Sequence, residues 1–167
     1  ALEATLTDAY RNQEPLAWAE TQNRLGNILA AMGQQRRETE LFEKAIQCFN
    51  QALEELGQEA SPLDWAATQY NLGTAMQALG RQEGDSKLLK ASIDAYTNAL
   101  LEWSRKETPE EWASAMHQLG ATFHTYGSLL KGNRTFQKAV VAYKNAISEL
   151  DADNHPVELA AAHNNCG

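Results

Sequence analysis

His117 and His124 are the side chains of this sequence best suited to acid–base or metal chemistry, and they stand seven positions apart in "MHQLGATFH". On a helix both fall on one face, roughly 10 Å apart along the axis. That is too far for one metal ion to be shared without a ligand between them. His163 aligns with Met116 and Gln69 in the repeat described below, which makes it a packing or surface residue. The stretch "GRQEGDSK" from Gly80 has the glycines and lysine of a phosphate-binding loop, but it lacks the Gly-Lys-Ser/Thr order and a preceding strand. Cys48 and Cys166 sit in no C-x-x-C or zinc spacing and read as reduced structural thiols. No nucleophile, base and orienting group recur in any helical register. The sequence therefore predicts no enzyme, no catalytic residues, no metal and no cofactor.

Charge narrows the partners. With 22 acidic against 14 basic residues and a net charge of −8, nucleic acid and anionic membrane surfaces are repelled, and a neutral to basic protein or peptide is expected. No apolar run approaches the roughly 20 residues that span a bilayer, and no charged-then-apolar leader opens the sequence. A cytoplasmic location is expected.

The elements that must position any site are written several times over. Trp18, Trp65 and Trp112 are 47 positions apart; Pro15, Pro62, Pro109 and Pro156 keep the same step, as do Gly26, Gly73, Gly120 and Gly167. In each copy a first apolar series has helical spacing: Trp18, Leu25, Leu29, Met32; Trp65, Leu72, Met76, Leu79; Trp112, Leu119, Phe123, Tyr126. This predicts a helix A. It begins at a proline after Ser61 or Thr108, with Asp64 or Glu111 completing a capping box, and it ends at Gly33, Gly80 or Gly127. A second series predicts helix B: Phe42, Ala45, Ile46, Phe49, Ala52, Leu53, Leu56; then Leu89, Ser92, Ile93, Tyr96, Ala99, Leu100, Trp103; then Phe136, Ala139, Val140, Tyr143, Ala146, Ile147, Leu150. Polar loops "QQRRETE", "RQEGDSK" and "SLLKGNR" separate A from B.

Each helical hairpin has an apolar face it cannot bury alone, so the hairpins must stack into an all-α solenoid of antiparallel pairs. The expected array has an orphan helix B and linker at 1–14, repeats at 15–61, 62–108 and 109–155, and a partial helix A at 156–167. The four Trp are expected to be packing residues.

These units resemble the tetratricopeptide repeat: Leu25, Gly26, Leu29, Gly33, Ala45, Phe49, Ala52 and Leu53 follow its pattern, and the second and third copies repeat it. The departures are a longer unit, with the extra residues placed in the A–B and B–A connections and about one added turn at the start of helix A, and Gln22, Gln69 and Met116 where the family usually has Trp. The resemblance implies a right-handed superhelix whose A helices line a concave peptide-binding groove. In that register the groove would show Asn23, Arg24 and Asn27, then Tyr70, Asn71, Thr74 and Gln77, then His117, Gln118 and His124. The family's clamp for a peptide C-terminal carboxylate needs two Asn and three cations. Asn27 and Asn71 match the amides, but Asn23, Ser114 and Gln118 hold the cation positions, so binding of a chaperone tail is not expected. An amide-lined groove can instead pair with a peptide backbone in either sense.

The resemblance thus implies a protein-interaction scaffold. The rival is a self-assembling spacer or regulatory arm of a larger protein, associating through its exposed terminal helices.

Overall fold

The computed structural model describes residues 2–130 and Val141, and among these residues six helices and no strand occur. They are α1 (Leu2–Gln13), α2 (Pro15–Arg36), α3 (Thr39–Glu55), α4 (Pro62–Glu83), α5 (Ser86–Ala99) and α6 (Pro109–Leu130). Helices α2, α4 and α6 are the expected A helices, each opened by its proline, whose missing N–H falls where no intrahelical bond is due. Helices α3 and α5 are B helices. The third helix B and the partial fourth helix A lie outside the described residues, as do Cys166 and His163.

The capping boxes do not form. Ser61 makes no side-chain cap bond, and the Thr108 hydroxyl turns back to close the preceding loop, accepting from Ser104 N at 2.9 Å. The first turn is held by the backbone instead: the carbonyls of Glu14, Ser61 and Thr108 accept from the N–H groups of Trp18, Trp65 and Trp112 at 2.9, 2.8 and 2.8 Å.

The helix ends also differ from expectation. Gly33, Gly80 and Gly127 lie inside their helices, buried, and α2 and α4 run on to Arg36 and Glu83. The left-handed residue that stops each helix is Arg37 (φ 57°) in the first repeat and Gly84 (φ 64°) in the second. The A–B connections shrink to Arg37-Glu38 and Gly84-Asp85, so the supposed loops are mostly helix. Much of the unit's extra length goes into A helices of 22 residues, about 33 Å long.

Asp85 starts α5 by accepting from the backbone N–H groups of Lys87 at 2.9 Å and Leu88 at 3.3 Å, whereas Glu38 at the equivalent place caps nothing. Asp85→Ala is expected to cost about 1 kcal/mol by urea unfolding, and Glu38→Ala almost nothing.

Each helix packs against its chain neighbours, and α2 also meets α4, and α4 meets α6, directly. In the two described B helices most of the predicted series is buried: Phe42, Ala45, Phe49, Ala52, Leu89, Ser92, Tyr96 and Ala99 are at most 2% exposed, whereas Ile46 and Leu53 are only partly buried. Ala45, Phe49, Leu72 and Ala75 form one cluster joining α3 to α4; Leu89, Ile93, Tyr96, Leu119 and Tyr126 belong to another joining α5 to α6. Gly26 and Gly73 lie where a B-helix ring presses on the A helix: a Cβ on Gly26 would fall 2.6 Å from Phe49, and one on Gly73 3.0 Å from Tyr96. Leu25 breaks the pattern at 43% exposed against 6% for its equivalent Leu72, which packs on α3.

Polar bonds tie equivalent levels of adjacent repeats. Arg11 pairs with Glu54 and Glu55, both at 2.6 Å, and one repeat later Gln58 donates to Glu102 at 2.9 Å. Arg11 also lies 4.3 Å from the centre of the Trp18 ring, and Arg105 lies 5.1 Å from that of Trp112, at the equivalent place. Trp18 and Trp103, 4% and 6% exposed, are packing residues as expected.

Candidate functional site

Two cavities lie between α2 and α4, one near each end of the helices. The first, about 470 Å³, is lined by Leu16, Ala17, Glu20, Asn23, Leu56, Ser61, Asp64, Ala67 and Asn71. The second, about 510 Å³, is lined by Gln34, Arg37, Thr74, Gln77, Ala78, Arg81 and Gln82. On α4 the lining positions 64, 67, 71, 74, 78 and 81 advance by threes and fours, which is one continuous stripe of helix surface. Gly73 and Gly80, which face α5, lie on another side of α4. The two cavities therefore share one side of α4, facing α2.

The sequence-derived candidates divide by what they touch. Asn23 and Asn71 face the first cavity; Thr74 and Gln77 face the second. Asn27 is exposed on α2, between the two levels. Asn23 donates from Nδ2 to Thr68 Oγ1 at 2.7 Å, which bridges α2 to α4, and its Oδ1 is buried with no hydrogen-bond partner among the described residues. Arg24 is exposed and paired with Glu20 at 2.6 Å one helical turn away. Tyr70 is half-buried, its ring centre 5.6 Å from that of Tyr96 and 5.5 Å from that of Trp103. It acts as a packing surface rather than a free ring. His117 and His124 are exposed on α6, and Gln118 is half-buried there. None of the three lines either cavity. Among the described residues no three His, Cys, Asp or Glu side chains gather as a metal site.

Beneath the second cavity lies a buried polar chain. The Tyr96 hydroxyl, on a side chain with no exposed surface, donates to Gln77 Oε1 at 2.7 Å and lies 3.2 Å from Thr74 Oγ1. Thr74 in turn donates to the Tyr70 carbonyl at 3.0 Å. Burial pushes the Tyr96 phenol up to about 12, so it stays protonated and donating at neutral pH. Nearby, Ser92 donates to the Gly73 carbonyl at 2.7 Å. Burial also raises the Cys48 thiol, which keeps it in its unreactive form.

Sequence reasoning did not single out Arg37 or Arg81, because both fell in segments read as loop. The signal available was register: Arg37 occupies the place of Gly84, where the backbone turns left-handed.

Residues 18–56 match the family model described as tetratricopeptide repeat. The match takes in most of α2 and all of α3, and the six helices among the described residues pack consecutively, as in a helical-repeat solenoid. Neither the comparison with curated proteins nor that with solved structures gives a match. Tetratricopeptide repeats are in general protein-interaction repeats without catalytic function. Among the described residues no helix is long and apolar enough to cross a membrane.

Proposed function

We propose that this chain is a non-enzymatic, cytoplasmic scaffold that holds an extended segment of a partner protein in the furrow between its A helices. The observation that carries the reading is the continuous α4 stripe connecting two open cavities, with amide and hydroxyl groups from Asn23, Asn71, Thr74 and Gln77 along it. Direct contact between successive A helices draws that layer together, which fits a superhelix concave on the A side. Amides serve an extended peptide well, since each offers both a donor and an acceptor to the passing backbone. The net charge of −8 favours a segment that is neutral to basic overall.

A peptide-display selection on the immobilised protein tests this, run beside the Asn27→Ala, Asn71→Ala double variant. A shared motif is expected, with affinity about tenfold weaker in the variant and an unchanged melting temperature. Failure to enrich any motif, or equal affinity in the variant, would remove the furrow as the binding site.

A second reading rests on the exposed apolar side chains Leu25 (43%) and Ile28 (58%), whose equivalents Leu72 and Ala75 are buried against α3. That edge of α2 would suit a further helix, including one from another copy. Solution mass over a concentration series decides it: a strictly monomeric chain excludes assembly.

A further inference from the structure

One polar atom beside the second cavity has no partner. Gln77 is 4% exposed, and its Oε1 is taken by the Tyr96 hydroxyl, while its Nε2 is buried and bonds to nothing among the described residues. The 2.7 Å separation suits an O–H···O bond, N–H···O bonds being about 2.9–3.0 Å, so the amide is oriented with its NH2 group as the unused end. A buried donor left unmet costs about 1–3 kcal/mol, and in a site lined by Gln77 the natural remedy is an acceptor brought by a ligand.

The remaining lining says what kind of acceptor. Arg37 and Arg81 contribute two guanidinium groups, and neither forms an ion pair among the described residues. Arg81, one helical turn after Gln77 on α4, lines the same cavity. Gln82 is already engaged, donating to the Arg37 carbonyl at 3.0 Å and lying 3.1 Å from Thr39 Oγ1, and so fixes the turn that carries Arg37. Arg37 itself stands in the left-handed conformation where the next repeat uses Gly84. A side chain kept there in spite of its backbone cost fits a role for its charge.

We propose that this cavity takes the carboxylate of an Asp or Glu side chain carried by the bound partner segment, with Gln77 Nε2, Arg37 and Arg81 as its donors. The inference rests on the furrow reading above. It differs from the C-terminal carboxylate clamp, whose cation positions in this chain hold Asn23, Ser114 and Gln118. The carbonyl ends of α2 and α4 both terminate beside the cavity and oppose anionic charge there, so a single negative charge suits it better than a phosphate dianion. An internal side chain fits better than a chain end, because the furrow continues to the cavity at Asn71. The levels of Ala67 and Gln77 on α4 are about 15 Å apart. An extended peptide covers that in about four to five residues, so the acidic residue belongs that far from the part held at the level of Ala67.

The direct test needs no partner. The side-chain N–H signals of Gln77, Arg37 and Arg81 are followed by NMR during titration with acetyl-glutamate N-methylamide, the glutamine analogue and inorganic phosphate. Saturable shifts of all three with the glutamate compound alone are expected. They should be lost in Arg81→Gln and in Arg37→Gly, which should hold or raise the melting temperature while removing the charge. Equal shifts with the glutamine compound, no saturation, or stronger binding of phosphate would each overturn the proposal. For peptides recovered by display, each arginine substitution should weaken binding about tenfold, and only for sequences carrying the acid. Display peptides without an acidic residue, indifferent to Arg81→Gln, would end this inference and leave the furrow standing. Glutamate binding with no displayed motif would do the reverse.

Discussion

Gly26→Ala is expected to lower stability by about 2 kcal/mol, and the melting temperature by about 4–8 °C for a chain of this size. The new methyl would lie 2.6, 2.8 and 2.9 Å from three carbons of the Phe49 ring, distances at which something must move. Phe49 has no exposed surface and is packed with Ala45, Leu72 and Ala75, so its ring has nowhere to go without parting α2 from α3 or α3 from α4. Overpacking of this kind costs about 1–3 kcal/mol or more, against which the better helix propensity of Ala returns about 1 kcal/mol. Two controls isolate the cause. Gly33→Ala brings its methyl only to 3.3 Å from the Phe42 ring, so propensity and crowding nearly cancel. Gly57→Ala meets nothing within 4 Å and should be neutral or slightly stabilising. Adding Phe49→Leu to Gly26→Ala should recover part of the loss, a coupling that simple helix propensity does not predict. If Gly26→Ala and Gly33→Ala stabilise equally, the close approach of ring and backbone is wrong.

Those same glycines show what the sequence could and could not disclose. Helix starts were legible because proline has one favourable place at a helix, its first turn, and the structure finds Pro15, Pro62 and Pro109 there. Helix ends were not, because glycine serves two physical needs that look alike in a sequence: a left-handed backbone and room for a neighbouring ring. Gly33 serves the second, against the Phe42 ring, and Gly80 makes room in the same way for the Leu89 side chain, while the first left-handed turn falls on Arg37, a residue that gives no warning of it. Moving the helix ends by one turn carried Arg81 from an imagined loop onto α4, beside Gln77. Asn71, Thr74 and Gln77 were legible as one side of a helix. That the Gln77 amide is sunk beneath the surface and oriented by Tyr96 was not, since the bond joins two helices and periodicity describes one helix at a time.

The Tyr96 bond has the other large consequence, and it is read through pH. Burial first, and far less the field of Tyr70, raises the phenol to about 12, while the Thr74 and Ser92 contacts and Arg81 pull the other way. In the unfolded chain a tyrosine titrates near 10. Between these values the folded state holds a proton that the unfolded state has lost, so stability falls as pH rises. The stabilisation is fully present below about pH 10 and is lost by about pH 12, on the order of 3 kcal/mol in all. Tyr96→Phe removes that dependence but leaves Gln77 Oε1 without its donor, at a cost of about 1–3 kcal/mol at neutral pH. Wild type should therefore be the more stable at pH 7, the gap should close above pH 10, and Tyr96→Phe should overtake it as pH approaches 12. Urea unfolding of both proteins across this range gives the difference directly, with the other tyrosines and lysines common to both and cancelling. Parallel curves would mean that Tyr96 ionises as it does in water, and with it would go the reason for holding the Gln77 amide in one orientation.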